Sequence, residues 1–198
     1  MERGISIAGT ITVDYNKVID RYAEKGMLSN ILSCTRSVGG CVPNTLINLS
    51  RMDPAIPLYA YGGIGNDENG EFVLSVLKAH GIHTEGIKVF DGELTAFTDC
   101  MTVESTGERT FFFARGVSRR FSMEDMDFDA IETDMFHMGY ALLMEPFDRE
   151  EGEELCWSIY RQLWLMPKKI AARSQPSIPL IWKALWPSCR MLKLIRFR

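Results

Sequence analysis

The chain has 198 residues, 46% of them apolar and 24% charged, and a formal net charge of −4. That length buries one core and little more, and the composition is ordinary for a globular protein. No apolar run reaches the roughly 18 residues that a membrane span requires, the N-terminus lacks a basic segment followed by a long apolar one, and no C-x-x-C pair occurs among the five cysteines Cys34, Cys41, Cys100, Cys156 and Cys189. Neither a disulfide framework nor a zinc site is suggested. A cytoplasmic protein with no membrane or nucleic-acid partner is expected.

Gly4 to Val13 reads as a first strand ending near Asp14, because Ile5-Ser6-Ile7-Ala8-Gly9 alternates with period two. Ser37-Val38-Gly39-Gly40-Cys41-Val42-Pro43-Asn44 then opens a helix expected over Val42 to Met52. Pro43 falls in its first turn, where a missing N–H costs nothing, and Leu46, Leu49 and Met52 share one face. Ile56 to Tyr61 is the next strand. Asp67 to His80 is the clearest amphipathic helix: Phe72, Val73, Val76 and Leu77 recur at i, i+1, i+4 and i+5, and Gly81 closes it. Two strand-like runs, Thr95 to Val103 and Arg109 to Ala114, flank Glu104-Ser105-Thr106-Gly107-Glu108, which is a hairpin signal. The Phe111-Phe112-Phe113 run needs cover on both faces, one by substrate or core and one by a partner subunit. Met135 to Met138 suggests a further buried strand, and Arg149 to about Leu163 a helix. Strands alternating with helices predict a parallel α/β sheet. The hairpin is an insertion which that pattern does not explain.

Gly39-Gly40 before a helix lets backbone approach a ligand with no Cβ in the way, and offers N–H groups at the positive end of the helix. A plain strand-to-helix turn is the alternative. Asn44 can donate to and accept from a sugar hydroxyl, and Asp14 can accept from two, although Asp14 alone also suits a turn. Gly65-Asn66-Asp67-Glu68-Asn69-Gly70 fails both phosphate-loop tests: a Walker loop needs Lys where Glu71 stands, and a dinucleotide fingerprint needs glycine where Glu68 stands. Asn66 or Asp67 as a helix cap suffices. His80 and His83 are spaced H-x-x-H, but no third metal ligand is evident.

The two glycine motifs, Ser37 to Asn44 and Tyr61-Gly62-Gly63-Ile64-Gly65-Asn66-Asp67-Glu68-Asn69-Gly70, together resemble the amino-terminal signature of the ribokinase (PfkB) carbohydrate kinase family. A Thr95-containing strand and a Gly107-Glu108-Arg109-Thr110 turn follow in the family's order, so the likeness runs from residue 4 to about 148. It implies a ribokinase-like parallel α/β core with a small β-sheet lid made of residues 13–20, 31–38 and 95–114. It implies sugar-binding roles for Asp14, Gly39, Gly40 and Asn44, with Phe113 and Arg115 of the lid closing over the sugar, and a possible homodimer through the lid. Cys41-Val42 departs from the Gly-Gly-Lys-Gly of ribokinase proper, so ribose itself is not implied. In the family, ATP and magnesium serve a late Asp-Thr-x-Gly-Ala-Gly-Asp motif that carries the base and the anion hole. The 198 residues do not contain it, the last aspartate being Asp148 and the last glycine Gly152. The expectation is a carbohydrate kinase that transfers the ATP γ-phosphate to a sugar hydroxyl, truncated here and inactive as written, with no catalytic, nucleotide or metal residue assigned. A non-catalytic sugar-binding or dimerisation module is the alternative.

From Arg161 onward there are nine Lys or Arg and no acid, and from Glu153 onward there is no glycine. The same stretch holds four of the eight prolines and all four tryptophans. Three readings stay open for a boundary near 162: foreign sequence such as a frameshift product in 163–198, a native but poorly ordered tail, or a functional basic patch.

Overall fold

A computed structural model of the chain describes residues 4–128, 131, 133–139 and 143–148. The helix expected over Arg149 to about Leu163 and the basic segment beyond it lie outside the described residues.

β1 (Ile5–Gly9) ends where Gly9 takes a φ of 141°, a conformation L side chains rarely adopt. Thr10 and Ile11 then carry the chain into β2 (Thr12–Ile19), which belongs to a different sheet. The single strand expected over Gly4 to Val13 is therefore two. Apolar residues at 5, 7, 11 and 13 keep one alternation across the break, so the period alone does not show it. β3 (Ile31–Gly39) returns antiparallel to β2. α1 (Cys41–Met52) follows, burying Cys41, Val42, Pro43 and Leu46. Met52, expected on the buried face, is 81% exposed, because the helix has run to its last residue there and the chain turns away at Asp53.

β4 (Leu58–Gly65) carries on four residues beyond the strand expected to end at Tyr61. Its glycines are part of the strand because neighbouring segments press against them: a Cβ on Gly63 would lie 2.5 Å from Val117, and one on Gly65 would lie 2.1 Å from the Glu93 carbonyl. α2 (Glu68–Ala79) is capped by Asp67, which accepts from the Gly70 N–H at 2.8 Å, with Glu68 and Glu71 in its first turn. β5 (His83–Phe90) was not expected from the sequence. It is an edge strand in which only Ile87 and Phe90 are buried, so its pattern lacks regular alternation, and Gly86 sits in its middle, where a Cβ would strike the Tyr61 ring.

β6 (Phe97–Val103) and β7 (Arg109–Ala114) form the expected hairpin. Two short 3-10 turns, Gly116–Arg119 and Met123–Asp125, lead to β8 (Met135–Gly139) and the one-turn helix α3 (Glu145–Asp148).

Among the described residues the strands make two sheets. The core sheet has the order β5-β4-β1-β8 and is parallel throughout. The second sheet, β3-β2-β6-β7, pairs β2 with β6 in parallel and its other neighbours antiparallel. It is built from the pieces expected for a lid. Ile7, Val42, Leu46, Ile64, Val73 and Leu77 fill the core, and Val13, Val38, Tyr15 and Phe97 bring one face of the lid against it.

Thr95, fully buried, fixes where the chain enters the lid. Its hydroxyl accepts from the Gly65 N–H at 2.9 Å and donates to Asp67 Oδ1 at 2.6 Å, while its own N–H donates to Asp67 Oδ2 at 2.9 Å. One side chain thus joins the end of β4, the start of α2 and the approach to β6. Thr95→Val should keep the shape, strand the Gly65 N–H, and lower stability by about 1–3 kcal/mol in urea unfolding of the 198-residue chain, with Thr95→Ser costing less.

Candidate functional site

In an open parallel sheet, ligands bind beyond the carboxyl ends of the strands, where the strand order reverses. Here that point is β1, since β4 and β5 lie to one side and β8 to the other. A shallow depression lined by Gly9, Thr10, Ile11, Gly63, Ser118, Phe121 and Met144 sits at this end of the sheet. The lid strands start from the same place.

Asp14 stands at the junction. It is directly opposite Ser37 on β3 and beside Thr98 on β6, and Thr98 in turn faces Phe113 on β7. Residues in register across neighbouring strands share a face, so Ser37, Asp14, Thr98 and Phe113 form one row across the whole lid. The next row on that face holds Thr35, Asn16, Cys100 and Phe111. The Asn16 amide donates to the Ser37 hydroxyl at 3.2 Å. A polar centre flanked by aromatic rings can hydrogen-bond sugar hydroxyls and stack against the C–H face of a ring.

Gly39 is glycine because of this site: a Cβ there would lie 2.1 Å from Asp14 Oδ2. Gly40, the N-cap of α1, has a φ of 87°, and a Cβ on it would meet the Thr10 carbonyl at 2.4 Å. Asn44 is exposed in the first turn of the same helix. The structure thus brings Asp14, Gly39 and Gly40 together, with Asn44 one turn further on. Phe113 lies in the Asp14 row but two strands away, roughly 10 Å at ordinary strand spacing. Arg115 lies one residue past the end of β7, exposed, at the start of a 3-10 turn.

One expectation needs correction. The first amides of α1 do not face a ligand: Cys41 N–H donates to Thr10 Oγ1 and Val42 N–H to the Thr10 carbonyl, both at 3.3 Å, and Pro43 has none to give. Thr10 supplies the cap that Gly40 lacks, so this helix end is no anion cradle. Sequence reasoning passed over Thr10, Ser37 and Thr98. Only Ser37 carried a signal, standing two residues before Gly39 and so on the same face as it. The two histidines do not converge: His80 Nδ1 is 3.4 Å from the Ser50 hydroxyl, whereas the His83 ring stacks on Tyr59 at 4.8 Å.

Burial pushes the Asp14 carboxyl above the ordinary value of 3.8, against the opposing pull of hydrogen bonds from Thr98 and Thr12. A raised folded-state pKa favours the protonated form, so the stability Asp14 contributes is complete below the unfolded value of 3.8 and is lost as pH rises through the folded one. At neutral pH the fold therefore holds a carboxylate it would prefer protonated. Asp14→Asn should raise the thermal midpoint at pH 7, and the gain should shrink toward zero as pH falls below 4. Paired melting curves at the two pH values measure this.

Residues 5–163 match the pfkB family carbohydrate kinase pattern. A probable fructokinase-4 of Arabidopsis thaliana is 30% identical over 161 residues, covering 74% of this chain and 48% of that protein. Fructokinase-2 of Solanum lycopersicum is 27% identical over 173 residues, or 80% of this chain and 50% of that protein. The chain spans about half the length of the curated relatives it matches. Among solved structures, ribokinase of Thermotoga maritima superposes with a TM-score of 0.61 at 16% identity, over 68% of this chain and 44% of that one. Ribokinase of Arabidopsis thaliana, solved with ribose and ATP, gives a TM-score of 0.54 at 20% identity, over 61% of this chain and 38% of that one. These likenesses carry the fold, a parallel α/β core with a second β-sheet. With the match over residues 5–163, the chain belongs to the pfkB family of carbohydrate kinases.

Proposed function

We propose that the described residues are the sugar-binding half of an ATP-dependent kinase that phosphorylates a sugar hydroxyl. The observation that carries this is the row Ser37–Asp14–Thr98–Phe113, set where the core sheet's strand order reverses. Asp14 accepts from two sugar hydroxyls, Asn44 reaches in from α1, and Gly39 and Gly40 keep the floor free of side chains. Phe113 supplies an apolar wall. Arg115, exposed at the start of the neighbouring 3-10 turn, is assigned a contact with the bound sugar. The fructokinase relatives make a ketohexose the first sugar to try.

ATP and magnesium belong to the complete reaction, where the metal spreads the charge of the transferring phosphoryl group. Among the described residues no group of three or more His, Cys, Asp or Glu could hold a metal ion, and the α1 amides are occupied by Thr10. The described residues therefore do not fit that role. No phosphate or metal step is assigned to them, and their part is to bind and orient the sugar.

Isothermal calorimetry against pentoses, hexoses and nucleosides tests the reading. The 198-residue chain should bind one sugar class weakly, and Asp14→Ala or Asn44→Ala should each lower that affinity by about 1–3 kcal/mol. It should show no magnesium-dependent turnover of any sugar. Unchanged affinity in both variants, or robust turnover by this chain, would refute the proposal.

The lid also suggests self-association. Phe112, on the other face of β7 from Phe111 and Phe113, is 56% exposed, and Met27, Leu28, Ile31 and Leu32 on the β2–β3 side are exposed as well. An apolar sheet of this kind is a poor surface to leave in water, and a second copy of the lid is its natural cover. Light scattering at tens of micromolar should give a dimer mass, and Phe112→Lys should return a monomer; a wild-type monomer at that concentration counts against the interface.

A further inference from the structure

The Asp67-Glu68-Asn69 start of α2 touches the lid as well as the core. Tyr15 and Arg36 are opposite each other on β2 and β3, and each is the chain neighbour of a residue in the sugar-facing row, Asp14 and Ser37. Alternation places their side chains on the other face of the lid, toward α2. The Tyr15 hydroxyl donates to Asn69 Oδ1 at 2.6 Å. Arg36 Nη1 donates to Glu68 Oε1 at 2.7 Å, and its guanidinium lies 4.1 Å from the centroid of the Phe72 ring. The Tyr15 ring meets Phe97 edge-on at 6.1 Å. Glu68 holds the Arg36 guanidinium above its ordinary pKa, with Tyr15 adding to the effect.

These contacts are unlike the others between lid and core. Val13, Val38 and Phe97 pack against the core without direction, whereas the polar contacts specify one angle between β2–β3 and α2. They are also breakable. The Glu68 side chain is 83% exposed and that of Arg36 32%, so water can take over the ion pair whenever the lid moves. Among the described residues the chain also crosses between lid and core at residues 10–11, 39–40, 91–96 and 115–116. The first two contain or adjoin glycines with positive φ, at Gly9 and Gly40.

We propose that Tyr15 and Arg36, held by the Glu68-Asn69 start of α2 and by Phe72, form a latch that fixes the lid's angle over the core and so positions Asp14 and Ser37. Tyr15 and Arg36 are positioning residues: they face away from the sugar and act through their neighbours. This gives the Gly65 to Gly70 motif a second role beside the helix cap. Asp67 and Thr95 hold the turn to the core, and Glu68 and Asn69 hold the lid to the turn.

The test is amide hydrogen exchange of the full 198-residue chain, comparing wild type with Arg36→Met, Glu68→Gln and the double variant. Glu68 lies on the surface, so Glu68→Gln remains folded even if Arg36→Met does not. Glu68→Gln, which removes the ion pair alone, should speed exchange of the β2–β3 ladder about 2- to 5-fold, and Arg36→Met, which also removes the ring-stacked cation, about 3- to 10-fold, while β1 and β4 stay unchanged. The double variant should be no worse than Arg36→Met alone, because the ion pair that Glu68→Gln removes is already lost with the Arg36 guanidinium. Equal acceleration in lid and core, unchanged lid exchange, or additive effects in the double variant would each overturn the latch. A second arm, sugar titration, rests on the function proposed above; there the single variants should weaken binding to a similar degree. If wild type binds no sugar while the exchange pattern appears as stated, the latch stands and the sugar assignment of Asp14 falls.

Discussion

Both oxygens of Asp67 are committed at one point in this molecule. Oδ1 takes the Gly70 N–H and the Thr95 hydroxyl, Oδ2 takes the Thr95 N–H, and the same hydroxyl receives the Gly65 N–H. Three chain segments that would otherwise only pass each other are thereby held in register: the end of β4, the first turn of α2, and the approach to β6. The charge sits at the positive end of a helix, where the macrodipole favours it. The contact is out of bulk water because Thr95 is fully buried. The approach to β6, and with it that strand's place in the lid, follows from where this carboxylate holds the chain.

The consequences run outward. With β6 entering beside β2, Thr98 falls next to Asp14, and with β3 returning along the other side, Ser37 falls opposite it. The polar row is a product of register, and register in a sheet is all-or-none, since a slip of one residue would move every member to the other face. On the core side, Thr10 plays the matching part. By taking the first two amides of α1 it closes the helix end, and the groups described around Asp14 are hydroxyls, amides and a carboxylate. Such chemistry suits a neutral polyol better than a phosphate.

Asp14 shows what such a site costs the fold. Burial raises its pKa, so at neutral pH the folded chain keeps a charge that folding opposes. A carboxylate held against the preference of its surroundings, and partly satisfied by Thr98 and Thr12, remains able to accept from a ligand.

The local elements were legible in the amino-acid sequence wherever one signal governed them. α2 announced itself through Phe72, Val73, Val76 and Leu77, its cap through Asn66-Asp67, the hairpin through the turn at Gly107, and the special backbone through Gly39-Gly40. The lid's pieces and the family were readable because glycines and turn residues recur in a fixed order along the chain. What stayed hidden was whatever depended on contact between distant segments. The break after Gly9 was masked because the apolar alternation of β1 continues into β2, although the two strands serve different sheets. β5 was invisible because an edge strand buries only part of one face and Gly86 interrupts it to make room for Tyr61. Thr98, Thr10 and the Tyr15–Asn69 contact could not be foreseen, since a threonine or a tyrosine in a strand has no distinguishing mark until its neighbour is known. Residue types and their spacing determined which segments are strands and helices, because periodicity and turn chemistry act over a few residues; which hydroxyls and carboxylates meet was decided only by strand register and by the Asp67–Thr95 junction, because those join residues tens of positions apart.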